Sequence, residues 1–313
     1  MPLPDDPAVV QTSTELVNTL QTISGPQPGY RPAHARGILL DGVFKPTEQA
    51  ASLSDAWHFQ GRNKKTIVAR FSSSTGDPQI ADNNPSGNPR GFAIRFVERW
   101  EPRRVHTDII AHSVDGFPGT TGQEVLEFFN AARDGTMEDY LSTHPKAQAF
   151  VAMRKPTPVS FARENYFGIN AFRFIKSRPN RRETIIRYRL VPEARGRHYT
   201  RAQARGKEPN FLHDELLERL ENGPIVFRLM AQIAEEGDVT NDNTVKWPED
   251  RELVELGTIR LEAPSAAQKA EQKYMIFDPI PRTQGIEPTD DPLLDVRAGV
   301  YLISGRQRRE APL

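Results

Sequence analysis

The segment TIVARFSSS, residues 66–74, alternates β-branched or aromatic residues with small and polar ones and stops at a serine cluster. That is the period and the punctuation of a β-strand. Arg70 and Ser72 stand two apart in it and therefore share one face. If that face is buried, the guanidinium needs an anion to meet it; on an edge strand it would reach solvent. The same grammar recurs on either side, in RGILLDGVFKP (36–46), GFAIRFVE (91–98) and HTDIIAHS (106–113), each bounded by Gly, Pro, Asn or Asp. Short strands at this spacing predict an antiparallel sheet or barrel.

Working outward, residues 8–24 space Val, Leu and Ile at helical intervals and end at the loop GPQPGYRP, which predicts a helical arm over residues 1–28. Residues 121–154 switch to helical spacing and interrupt the strands. NAFRFIKS (170–177) and ETIIRYRLVP (183–192) flank RPNRR and predict a hairpin. NFLHDELLERLENG (210–223) reads as a helix closed by Gly223, and VELGTIRLE (254–262) as a last strand. In DDPLLDVRAGVYLISG (290–305), Asp291 suits the N-cap, Pro292 the first helical position and Gly305 the stop. The pattern describes an α+β protein of one large domain, residues 29–313, after the arm.

Lys plus Arg and Asp plus Glu both total 41 in 313 residues, so the charge balance calls for neither nucleic acid nor a membrane surface. With no cysteine, disulfides, thiolate haem ligation, cysteine zinc sites and thiol peroxidase chemistry are all excluded. Redox work would need a cofactor. The first residues, MPLPDDPAVVQTSTEL, lack the basic start and apolar run of a secretory signal, and no stretch reaches the roughly 18 apolar residues of a membrane span. A cytoplasmic location is the expectation. Nucleotide-binding glycine loops, the G-x-S-x-G elbow and H-E-x-x-H are absent. The Arg-rich hairpin and the RQRRE tail read as solvated faces, and His106 and His112 as ordinary hydrogen-bonded histidines.

Two local constellations remain. Arg297 and Tyr301 are four apart on the C-terminal helix, so their side chains can meet. A guanidinium beside a phenol favours the phenolate, an oxygen ligand suited to ferric iron, although such a pair is also ordinary helix packing. His34 follows Arg31 in RPAHARG.

Order and spacing change the weight of these pieces. Arg31-Pro32-Ala33-His34-Ala35-Arg36-Gly37, then Ala69-Arg70-Phe71-Ser72, Pro89-Arg90-Gly91-Phe92-Ala93, Trp247-Pro248 and Arg297 to Tyr301 resemble the haem catalase superfamily from about residue 30 to 306. The short chain is most similar to the catalase-related peroxidase branch, a minimal catalase core. This resemblance implies an antiparallel β-barrel with haem b bound inside, plus inserted and C-terminal helices. It implies His34 as the distal acid–base group, Ser72 as its orienting partner and Tyr301 as the iron ligand, with Arg297 stabilising the phenolate. Arg31, Arg70 and Arg306 would pair with the haem propionates, and Phe117 and Phe161 would clamp the porphyrin. Large catalases hold peroxide with an asparagine that RRVHTDIIAHS (103–113) lacks, and Thr107 is the candidate substitute. A hydroxyl donates one hydrogen bond where an amide donates two, so peroxidase turnover with hydrogen peroxide and a small organic electron donor is favoured over fast dismutation. A dedicated hydroperoxide-transforming or oxidative-tailoring enzyme on the same fold is an alternative, as is a haem-binding or sensing module without turnover; a homo-oligomer, a dimer, fits any of them.

Overall fold

The computed structural model describes residues 2–99, 105–266 and 268–312. Eight antiparallel strands close into a barrel. They are β1 (Gly37–Pro46), β2 (Lys65–Ser72), β3 (Gly91–Arg99), β4 (Val105–His112), β5 (Tyr166–Lys176), β6 (Arg182–Pro192), β7 (Ile225–Ile233) and β8 (Leu253–Pro264). Each of the first four pairs with the next, β4 meets β5 through His112 and Phe167, and β6–β7–β8 returns to β1. The segment Ile286–Pro288 adds a short strand along β5.

Strand parity sorts the side chains. Phe44, Phe71, Phe92, Phe96, Phe174 and Phe227 point into the lumen with Ile67, Ile94 and Ile109, all nearly inaccessible. Phe92 on β3 reaches Phe227 on β7 across the barrel at 5.0 Å between ring centroids. Burying each such ring contributes about 1.5–3 kcal/mol, so the lumen is a packed core. Arg70 and Ser72 alternate with Ala69 and Phe71 and so lie on the outer face.

Helices α1 (Pro7–Ser24), α2 (Gly122–Asp134), α4 (Gln268–Tyr274) and α5 (Leu293–Glu310) lie outside the barrel, while α3 (Phe211–Glu221) adds Leu212 and Leu216 to the core cluster. α1, read as an arm, packs against α2 and α5 and buries Leu16 and Val17. Gly299 of α5 lets it approach Ser13, where any Cβ would collide. The helical stretch 121–154 is three helices, because Gly135 takes a left-handed cap and Pro145 begins a new one after His144.

One expectation about α5 holds and one changes. Asp291 Oδ1 accepts from Leu293 N at 2.9 Å, the bond of a capping side chain, and Pro292 already has helical φ and ψ. Gly305 does not end the helix, which runs on to Glu310; the glycine is there because Ile276 lies against it. β7 was not anticipated from the sequence. Its run IVFRLMAQI is apolar on both faces in part, so it lacks the strict alternation that marks a half-buried strand.

Candidate functional site

His34 sits at φ +57°, the sole non-glycine residue at positive φ among the described residues. A histidine held there costs about 1–3 kcal/mol, so its surroundings must over-determine it. They do. His34 N donates to Ser74 O at 3.1 Å and Ala35 N to Thr75 O at 2.9 Å, tying the loop to the end of β2. That anchor is itself fixed by Arg90, fully buried, which donates to Ser73 Oγ at 2.6 Å and Asp82 O at 2.7 Å. Next to it, Gly91 leaves room for the imidazole: a Cβ there would lie 2.5 Å from Ser72 Oγ and 2.8 Å from His34 Nδ1.

His34 Nδ1 lies 3.0 Å from Ser72 Oγ, and the ring is within hydrogen-bonding reach of the Ser73 backbone. In a neutral imidazole one ring nitrogen donates and the other keeps its lone pair. Burial, then the positive charges of Arg70, Arg31 and Arg297, push His34 down to about 3. These surroundings favour the neutral imidazole, in which one ring nitrogen is an acceptor.

On α5, Arg297 Nη2 donates to Tyr301 OH at 3.1 Å, as the four-residue spacing predicts. Its other terminal nitrogen donates to Asn170 Oδ1, and Asn170 Nδ2 donates to Asp291 Oδ2 at 2.7 Å. A chain from the barrel strand β5 thus fixes the guanidinium on the phenol oxygen. Arg31 lies within electrostatic reach of Tyr301, and His34 of Arg297, so the loop and the helix face one chamber.

Three further guanidiniums border that chamber. Arg31 donates to Met275 O at 2.9 Å; Arg70 donates to Gln272 Oε1 at 2.8 Å and Ala35 O at 3.1 Å; Arg308 donates to Ser304 Oγ and Met275 O, both at 2.9 Å, and to Lys273 O. Every one of these partners is neutral, and no carboxylate pairs with the three among the described residues. Burial and mutual repulsion push Arg70 down to about 9, Arg308 to about 8 and Arg31 well below its ordinary value. Three cations without a carboxylate partner, Arg70 and Arg308 buried and Arg31 half-buried, suit a ligand carrying more than one negative charge.

The structure therefore brings together His34, Ser72, Arg31, Arg70, Arg297 and Tyr301. Phe117 joins them at the wall, 6.3 Å from the His112 ring and packed with Val296 and Val300 of α5. Three anticipated residues stand elsewhere. Thr107 pairs with Phe96 and shares the lumen face with Ile109 and Ala111, because it is an odd number of residues from His112. Phe161 is wholly buried and stacks on Phe71 at 5.3 Å in the core. Arg306 is exposed, since five residues past Tyr301 is about 140° around a helix.

Three residues were missed. Arg308, seven past Tyr301, returns to the same stripe, and that spacing was a usable signal. Asn170 gave none, because its role depends on β5 lying beside α5. His112 was read as ordinary, yet it pairs with Gly91 on the His34 face. Its Nε2 is buried without a partner, and burial followed by the proximity of His34 pushes it down to about 3. Residues 103 and 104 of the segment that lacks the asparagine lie outside the described ones. Trp247 is a packing residue, with its indole NH donating to Val239 O at 2.8 Å and Arg187 stacked on the ring.

The family model described as Catalase matches residues 5–101 and 121–311. The chain is 33% identical over 305 residues to the catalase-related peroxidase of Mycolicibacterium paratuberculosis, covering 95% of each. It is 31% identical to the catalase-related peroxidase of Synechococcus elongatus, covering 95% of this chain and 88% of the relative. Among solved structures, a bacterial catalase superposes with a TM-score of 0.79 at 21% identity, and catalase A from Saccharomyces cerevisiae with 0.80 at 20%. Both likenesses cover 94% of this chain, which spans 60% and 64% of those longer chains. A helix-covered antiparallel barrel, a family model matched over most of this chain, and relatives 33% and 31% identical lead to one conclusion: this chain belongs to the catalase family.

Proposed function

We propose that the chain is a haem-dependent peroxidase that reduces hydrogen peroxide with electrons from a small organic donor, and that its catalase turnover is weak. The observation that carries this reading is one chamber with a neutral acceptor imidazole at one wall, a phenol oxygen held by a guanidinium at another, and three uncompensated arginines at its edge. These residues fit a dianionic porphyrin. Haem b bound there would supply the iron and the redox equivalents.

The residues then divide the work. Tyr301 offers its oxygen to the metal, and Arg297, held by Asn170, stabilises negative charge on that oxygen. Arg31, Arg70 and Arg308 would hold the propionates. His34 Nε2 takes a proton from one peroxide oxygen and returns it to the departing one, so that water leaves. Ser72 and the Ser73 backbone hold the imidazole with Nε2 toward the chamber. Opposite it, β4 presents Ile110 and His112 and no amide, which favours reduction by an outside donor over a second peroxide held in register.

Purified protein given haem is expected to show a ferric spectrum with phenolate ligation, release oxygen slowly on adding peroxide, and oxidise an organic donor quickly. A protein that stays colourless after reconstitution overturns the cofactor and every role above. The assignment of Arg308 has its own check. Arg308→Ala is expected to weaken haem affinity about tenfold or more in an absorbance titration, while Arg306→Ala leaves it within twofold. Equal affinities for the two variants would remove Arg308 from the propionate site.

A further inference from the structure

The sheet face that carries His34's partners continues past the chamber. The pairs Gly91–His112, Ala93–Ile110 and Arg95–Asp108 follow one another along β3 and β4 on that face, each about 7 Å beyond the last. At the third pair a cavity of about 680 Å³ begins, and Ile276, Leu302 and Tyr274 give it an apolar wall. Tyr274 is 46% exposed, so the cavity opens to solvent.

Only one stretch of backbone separates this cavity from the arginine cluster. Met275 O accepts from both Arg31 and Arg308, and the next carbonyl, Ile276 O, accepts from Arg95. Four arginines, Arg95, Arg99, Arg282 and Arg309, line the cavity, and Arg99 is engaged in a contact of its own. Arg95 is matched by Asp108 at 2.8 Å and Arg282 by Asp278 at 3.0 Å. Arg309 lies at the exposed end of α5, donates to Tyr274 O at 2.8 Å, and pairs with no carboxylate among the described residues.

We propose that this cavity binds the organic reductant, and that the reductant is a small molecule with an apolar body and a carboxylate that pairs with Arg309. The inference rests on the peroxidase reading and adds to it a place and a chemical class for the donor. The apolar wall takes the body, the guanidinium takes the charge, and the site lies at the propionate edge rather than over His34, so donor and peroxide do not compete for space. In the balanced reaction two donors AH each give up one electron and one proton, the peroxide O–O bond breaks, and two radicals A• and two waters leave.

The test uses haem-loaded protein with 4-hydroxybenzoate and its uncharged counterpart 4-hydroxybenzamide as probes. KM for the benzoate is expected to rise about tenfold in Arg309→Gln and to recover in Arg309→Lys, while KM for the amide stays within twofold in both. Calorimetric binding of the benzoate without peroxide is expected to weaken in parallel. Arg309 is exposed, so the variants should fold. If both donors are oxidised and Arg309→Gln moves neither KM, or moves both alike, the donor site is elsewhere and the peroxidase reading stands. If neither donor is oxidised by the parent protein, the peroxidase reading falls and takes this inference with it.

Discussion

Tyr301→Phe is expected to yield a folded protein that no longer retains haem. The substitution removes one oxygen and leaves the ring, so packing along α5 is kept. Lost with the oxygen is the acceptor to which Arg297 donates at 3.1 Å and, on the proposed reading, the one protein ligand to the metal. Arg297 keeps its bond to Asn170, but a half-buried donor without its second partner costs about 1–3 kcal/mol. Most domains survive a loss of that size. The ratio of haem to protein absorbance, read beside a thermal melt, separates loss of ligation from loss of fold. A variant with full haem occupancy and an unchanged spectrum would remove Tyr301 from the metal.

His34→Ala is expected to do the reverse: haem stays and peroxide reactivity falls by about 10²–10⁴-fold, the usual worth of a positioned acid–base group. The comparison should include His34→Gly, because alanine at φ +57° is strained and glycine is not. A parent-like peroxide rate in both variants would end the assignment. pH supplies a second readout on the parent protein. Folded His34 lies at about 3, below the roughly 6.5 of an unfolded histidine, so between these values the unfolded chain binds a proton the folded one refuses. This residue's contribution to stability therefore rises with pH from about 3 to 6.5 and is constant above. The imidazole is already neutral well below pH 5, so the peroxide step is expected to be flat from pH 5 to 8. A rate that titrates near 6.5 would contradict the neutral, desolvated histidine seen here.

Much of the fold could be read locally, because short periods are local properties. Alternation in residues 66–72, 91–98 and 106–112 sets strands, and the turn residues between 177 and 181 set the hairpin β5–β6. The four-residue step from Arg297 to Tyr301 and the order of RPAHARG, ARFS and PRGFA are likewise written in the sequence. β7 escaped because a strand apolar on both sides has no alternation to find.

What the sequence by itself determined was which residues alternate on a strand or recur on a helix face, and so that Arg70 goes with Ser72 and Arg297 with Tyr301. It could not say which side of a strand becomes the lumen. That was decided when the barrel closed and Phe71, Phe92 and Phe227 met inside it, turning Arg70 and Ser72 outward, Arg70 against Gln272 of α4, and carrying Thr107 into the core. Closure also brought Asn170 against Arg297, Arg308 against Arg31, and His112 opposite Gly91. Each of these meetings joins residues far apart along the chain, and their positions depend on how the whole sheet curves, so no short window of sequence contains them.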